Sequence, residues 1–283
     1  VQLEATSGVL GEGWIMKKPS LPIFAIAGIV SALVYTLPTW ASPTPAVHSS
    51  STKQLSFNSV LEEFAGDRRP RHRTSGGSRG PCLNQLIALV PGSEQIEMHE
   101  GTCSARSVSL VSLTVDASPT FWFYIPQPPQ SGTPAEFVLL DENQQPILIE
   151  QVTLPAVAGI VAIPLSQPLA ANRSYAWGFS ISVNPRSSSQ NPRVEGIVRR
   201  IAPTAGLSTQ LQTLTSPQEQ AAIYAEHGIW HDALTMLAEQ RLAAPNNTTL
   251  ITDWSHFLDS AGLGAIATAP FLDCCTSTSA PIK

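Results

Sequence analysis

His227 and His231 stand four residues apart, the spacing that puts two imidazoles on one helix face as metal ligands. Asp232, Asp253 and His256 could complete a coordination set with them. Gly228 falls between the two histidines, where the pattern predicts a helix break, and no Glu follows His227. The pair therefore reads as helix-end histidines, and neither a metal nor a cofactor is assigned. Nucleophilic catalysis finds no better footing. There is no G-x-S-x-G elbow to expose a serine at a strand-to-helix turn. Glu62-Glu63 precede the strands and Asp141-Glu142 fall in a turn, so both carboxylate pairs read as solvated rather than as acid and base. "GGSRG" (76–80) follows no strand and opens no helix, as a phosphate-cradling loop would. No catalytic residue is assigned.

The aromatic residues offer a second kind of chemistry. Phe121, Trp122, Phe123 and Tyr124 lie on one candidate strand and Trp177 on another. Side chains alternate across a strand, so Trp122 and Tyr124 share a face opposite Phe121 and Phe123. One set must face the core. The other packs under a helical cap or stands exposed as a sugar-stacking platform, for which Trp122, Tyr124 and Trp177 are the candidates.

The elements that would position these groups follow from periodicity. Short apolar runs recur at 86–90, 108–115, 120–125, 136–140, 147–154, 159–165, 175–183 and 194–201, separated by turn residues. This spacing predicts a β-sandwich or barrel. Tyr175, Trp177, Phe179, Ile181 and Val183 alternate with small or polar residues, the pattern of a half-buried strand. "LLDENQQPIL" (139–148) predicts a hairpin, with Asp141, Asn143 and Pro146 favouring reversal. After Pro203 the period becomes helical. Ser216-Pro217-Gln218-Glu219 predicts a helix start: a Ser N-cap, a Pro that has no N–H to leave unsatisfied, and a Glu able to reach back. That helix should end near Gly228. A second should run from Trp230 to Ala243 and stop at Pro245. A third, after Asn246 or Asn247, carries Leu250, Trp254, Phe257 and Leu258 on one stripe until Gly262. Tyr224, Gly228, Trp230, Ala233, Leu237 and Pro245 fall at tetratricopeptide spacing, but only about one and a half units fit, short of the three or so a solenoid needs. The helices are expected to cap the strands, with Trp230 and Trp254 at the contact.

The compartment is read from residues 16–41. Lys17 and Lys18 precede an uncharged apolar run, 21–37, and Thr39-Trp40-Ala41 offers small residues around a cut. This is the signal-peptide pattern, and the run is shorter than the ~20 residues of a spanning helix. Cleavage after Ala41 is the favoured reading, with a single N-terminal membrane anchor as the alternative. Residues 1–15 fit no targeting pattern and read as an extension ahead of a true start at Met16. The expected organisation is then a signal peptide (16–41), a Ser/Thr/Pro-rich and then Arg/Gly-rich linker without structure (42–81), a β-sandwich (82–203), a helical cap (204–272) and an unstructured tail (273–283).

Composition agrees with export. Hydrophobic residues make up 43% and charged residues only 13%, with 24 Pro. The net charge of −5 is unevenly spread: residues 67–81 hold five Arg against one Asp, whereas the helical end is acidic. No basic face is long enough to track a phosphate backbone, so nucleic acid is excluded as a partner class. Export also permits disulfides. Four cysteines, Cys82, Cys103, Cys274 and Cys275, allow three pairings. Cys82 with Cys103 is preferred, and closing a loop of about 20 residues is worth roughly 3 kcal/mol in the chain-entropy account. Cys82 accordingly reads as a disulfide partner rather than a nucleophile.

Several strings in combination resemble a known family: "GGSRGPCL" (76–83), "TFWFYIP" (120–126), "AEFVLLDE" (135–142), "SYAW" (174–177), "VEGIVRR" (194–200) and "YAEHGIWHDALTMLAEQR" (224–241). The chain is similar over roughly 75–272 to the exported cyanobacterial family known as domain of unknown function 928. The resemblance implies a cyanobacterial source and an exported protein, and carries no activity. It also implies a Cys near 181–184, where this chain has none. "SYAWGF" and "SPTFWFYIP" resemble immunoglobulin-like or fibronectin-type strands. Three functions remain in order: a non-enzymatic envelope module that contacts another envelope or surface protein, a glycan- or peptidoglycan-binding module using exposed aromatics, and an enzyme of unassigned type.

Overall fold

The computed structural model describes residues 55–58, 85–99, 102–109, 111–125, 130, 132–184, 191–273, 275 and 278–279, the side chains of 93–99, 102–109 and 278–279 excepted. The extension 1–15, the signal segment 16–41, Cys82 and Cys274 lie outside these residues, as does the Cys103 side chain, so the preferred disulfide does too. No described helix is long and apolar enough to cross a membrane.

The fold is mainly β, with four helices at the C-terminal end. The strands are β1 (Ile87–Ala88), β2 (Gly92–His99), β3 (Thr102–Ser109), β4 (Val111–Thr114), β5 (Thr120–Ile125), β6 (Thr133–Leu140), β7 (Pro146–Leu154), β8 (Gly159–Pro164), β9 (Arg173–Ile181), β10 (Arg193–Arg200) and β11 (Thr278–Ser279). One sheet has the order β1-β5-β8 and the other β11-β7-β6-β9-β10-β4, and β2 and β3 form a separate ribbon. The pairings are antiparallel except at one edge of the large sheet, where β4 runs parallel to β10. Each of the eight predicted apolar runs contributes a strand. The run 108–115 is divided: its start closes β3 against β2, and its remainder is β4 on β10.

The period-2 rule organises the layers. Phe121, Phe123 and Ile125 of β5 and Val161 and Ile163 of β8 share one core with Phe137, Leu139, Trp177, Phe179 and Val198 of the large sheet. Their strand neighbours Trp122, Tyr124, Ile160 and Ala162 point the other way, into a second core with the helices. The three-stranded sheet is thus buried on both faces, which explains why "TFWFYI" is apolar throughout rather than alternating. Phe123 stacks on Phe179 at 4.2 Å between ring centroids. Val183, expected inside, lies past the end of β9 and is exposed, because pairing with β10 stops at Ser180.

The helices are α1 (Ala205–Thr213), α2 (Pro217–Glu226), α3 (Trp230–Ala243) and α4 (Thr248–Ser260). The last three match the predicted ones closely. The first was not anticipated, although Thr204 caps it by accepting from the Leu207 N–H. Ser216 does begin α2 but makes no side-chain capping bond. Both α2 and α4 end on a left-handed glycine, Gly228 and Gly262, each with φ of 70°. The N–H groups of Gly228 and Ile229 bond back to the carbonyls of Ala225 and Tyr224, so these orphan helix-end acceptors are satisfied. Alanines 221, 225, 233 and 238 let the helices approach closely around Trp230, which stacks on Phe257 at 4.6 Å. Trp230 Nε1 donates to the Leu89 carbonyl at 2.8 Å and ties α3 to the small sheet, and Trp254 is buried beside Phe271.

Two segments expected to lack structure are corrected. Within the presumed linker, residues 55–58 dock on the helices: Leu55 is buried and Phe57 meets Trp230 edge-on at 4.8 Å. An aromatic that can fill a gap over two helices gains enough burial to offset its ordering entropy. In the presumed tail, β11 pairs with β7, at Thr278 opposite Gln151 and Ser279 opposite Glu150. The chain after α4 also covers the outer edge of β8, with Ile160 N–H donating to Pro270 O and Leu272 N–H to Ile160 O. Covering an open edge removes a template for unwanted strand pairing.

Candidate functional site

The strand β4 ends at the parallel edge of the large sheet, and α3 starts directly above it. Between them, residues 114–116, 119 and 120, the side chain of Tyr224 on α2 and the first three turns of α3 line a pocket of about 340 Å³. On α3 the lining residues Asp232, Thr235, Met236 and Glu239 recur every three or four positions, so they share one helix face.

His231 is also part of the pocket wall, 2% exposed, with a ring-to-ring contact of 4.9 Å with Phe121. Its Nδ1 is 3.3 Å from the Thr120 carbonyl and its Nε2 2.8 Å from Ser112 Oγ. A carbonyl can only accept, so Nδ1 carries the proton and Nε2 accepts from the Ser112 hydroxyl. The Ile197 carbonyl, 3.1 Å from that hydroxyl, is its alternative acceptor. Burial pulls the imidazole down to about 4, against the bond to Thr120, so it is neutral near pH 7.

Asp232 presents the opposite shift. Burial pushes its carboxyl up to about 6, against hydrogen bonds from Thr114 and Val115. Its Oδ2 accepts from Thr114 Oγ1 at 2.8 Å and from the Val115 N–H at 3.2 Å. Thr114 Oγ1 in turn accepts from the Asp116 N–H at 3.1 Å, so the turn after β4 is held by one continuous chain of bonds. Tyr224 is raised as well, by burial first and then by the negative charges of Asp232 and Asp116. At the rim, Thr235 Oγ1 accepts from Trp122 Nε1 at 3.1 Å.

Chemically, the cavity brings together a raised carboxyl, a neutral imidazole and a phenol. Ser112 and His231 form a hydroxyl–imidazole pair, but Ser112 is 1% exposed and does not line the pocket. The group on Nδ1 is a backbone carbonyl, whereas the nearby carboxylate of Asp232 bonds to Thr114 and Val115. A nucleophile that substrate cannot reach, with no carboxylate on its base, lacks the geometry of acyl transfer.

The other sequence candidates are dispersed. His227 is exposed at the end of α2, its Nδ1 2.9 Å from the Ile223 carbonyl, while His231 points into the sheet. Asp253 bonds to Gln218 at 3.4 Å on the α2–α4 side, and partial burial raises its carboxyl. Asp141 does build the predicted hairpin, its Oδ1 accepting from the N–H groups of Asn143 and Gln145 at 2.8 Å each. Glu142 pairs with Arg173 at 2.6 Å on the surface. Trp122 and Trp177 are 6% and 2% exposed and Tyr124 packs against the helical core, so these three rings do not form the exposed platform. Their areas are spent on the two cores instead. No motif singled out Ser112 or Thr114, and Tyr224 stood out only at its tetratricopeptide-like position. Ser112 and His231 are 119 residues apart in the chain, and only the fold joins them.

These observations define a mainly β protein flanked by helices, with a polar pocket at the junction. The chain belongs to the family described as Domain of Unknown Function (DUF928), whose model matches residues 74–271, a span containing every residue of the pocket. No curated protein matches the chain.

Proposed function

We propose that this protein is a non-enzymatic exported module that contacts another envelope or surface protein, and that the pocket between residues 114–120 and α3 is where it holds that partner. The observation carrying this reading is the pocket itself: polar groups line it, His231 among them, while the Ser112 hydroxyl bonded to that imidazole is buried and does not line it. In the same reading the two facing sheets are an immunoglobulin- or fibronectin-like sandwich, and α2 with α3 is a tetratricopeptide-like unit. Tyr224 and Trp230 take the repeat's positions, and such helix pairs commonly present a contact face.

A photo-crosslinking residue in place of Glu239, exposed at the pocket, tests this in intact cells, with Val157, exposed beyond β7, as the comparison site. The expected outcome is a defined protein adduct from position 239 that is absent from position 157. Identical products at both sites, or none at 239, would overturn the reading. Fractionation of the same cells checks export, which predicts that the chain lies outside the cytoplasm.

A further inference from the structure

We propose that the pocket takes a primary alkylammonium group, either the lysine side chain of a partner or a free amine of the same chemistry. This deepens the reading above and rests on the same site. Three carboxylates, Asp116, Asp232 and Glu239, line the cavity together with the Tyr224 phenol, and no Lys or Arg is among the described residues lining it. A cavity with one sign of charge concentrates the opposite sign. His231, in its wall, is neutral near pH 7 and adds no repulsion.

The bonding of Asp232 narrows the cation further. Oδ2 already accepts two hydrogen bonds, from Thr114 and Val115, while Asp232 lines the cavity. A carboxylate with one oxygen so committed suits the compact, rotatable donors of an ammonium, which need no paired acceptors. A guanidinium binds best through two parallel bonds to both oxygens, and here one oxygen is taken. A divalent metal would want several hard oxygen ligands converging on one point, and no group of three such side chains is present among the described residues. Met236 and Pro119 supply apolar wall for the methylenes of an alkyl stem, as amphipathic lysines prefer.

The test uses the purified chain, titrated by calorimetry with Nα-acetyl-lysine amide and n-butylamine. Nα-acetyl-arginine amide, n-butanol, Mg²⁺ and Ca²⁺ serve as comparators. Both amines should bind, or n-butylamine alone if the natural ligand is a free amine. Binding should weaken about tenfold from pH 7.5 to pH 5, as Asp232 takes up a proton. Asp232→Asn should weaken binding at least tenfold at pH 7.5. Glu239→Gln, at an exposed position that leaves the fold intact, should weaken it by a few fold. Equal binding of n-butanol, tighter binding of the arginine amide or a metal ion, no amine binding, or affinity unchanged in both variants would overturn the proposal. Amine binding without a cellular adduct at position 239 would remove the protein-partner reading alone. An adduct without amine binding would remove only the ammonium assignment.

Discussion

Ser112 Oγ and His231 Nε2 meet at 2.8 Å in the interior and join β4 to α3 across the boundary between sheet and helices. Neither side chain reaches solvent, so the bond cannot be exchanged for one to water. Ser112→Ala should therefore cost about 1–3 kcal/mol, the penalty of a buried acceptor left without a donor. Replacing both, as Ser112→Ala with His231→Leu, should cost less than the sum of the single changes, because no polar atom is then stranded. Urea unfolding of the four proteins measures this, and strict additivity would show that the contact carries no coupling.

Asp232 follows His231 in the chain and is perturbed in the opposite sense, which makes stability against pH informative. The folded pKa of Asp232 is raised from 3.8 to about 6, so its contribution is fully present below 3.8 and is lost as pH rises through about 6. The folded pKa of His231 is lowered from 6.5 to about 4, so its contribution is present above 6.5 and is lost as pH falls towards about 4. Between about pH 4 and 6 the two slopes oppose each other. Asp232→Asn removes one of them. Relative to the wild type, the variant should lose stability as pH falls from 6 to 4, by at most about 1.4 kcal/mol per pH unit. Unfolding midpoints at pH 4.5, 5.5, 6.5 and 7.5 provide the comparison. Parallel curves for the two proteins would contradict the assignment.

Gly159 begins β8 where the segment after α4 crosses it. A Cβ there would lie 2.5 Å from the Pro270 carbonyl oxygen and 2.7 Å from Leu272 Cγ. The first obstacle is backbone, already committed to the Ile160 N–H at 2.7 Å, and cannot rotate aside. Gly159→Ala should therefore destabilise by about 1–3 kcal/mol through overpacking. It should also raise hydrogen exchange at the Ile160 and Leu272 amides, which seal that edge. Unchanged exchange at both amides would show that the covering segment tolerates the methyl group.

Periodicity carried the strands and three of the helices because local pattern and burial agree there: Leu250, Trp254, Phe257 and Leu258 form a stripe in the sequence and are all buried. It carried less where tertiary context decides. On β7 the inward face holds Glu150 between Leu148 and Val152, fully buried, with one oxygen accepting from the Ser166 N–H at 3.3 Å. The ribbon β2–β3 contains "GSEQIEMH" and "TCSARSVS", whose polar composition hides a paired strand. The pocket was not legible, since its walls come from β4, the following turn, α2 and α3, and each is unremarkable alone. His231 and Asp232 were visible as titratable neighbours, but the partner first sought for them, His227, faces solvent.

Helix starts separate the sequence pattern from the bond it promises. Ser216 has the capping-box sequence, with Glu219 three residues on, yet its side chain makes no capping bond. Asn247, which precedes α4 without any such box, accepts from both Thr249 and Leu250 N–H groups, at 3.0 and 3.3 Å. Two otherwise unsatisfied donors at the start of α4 thus depend on one side chain. Asn247→Ala should cost about 1 kcal/mol. Ser216→Ala should stay within about 0.5 kcal/mol, as for a substitution that removes no bond. Because α4 supplies Trp254 and Phe257 to the helical core, the loss at Asn247 should appear in global unfolding rather than as local fraying. Equal costs at the two positions would mean that the capping box at Ser216 forms in solution after all.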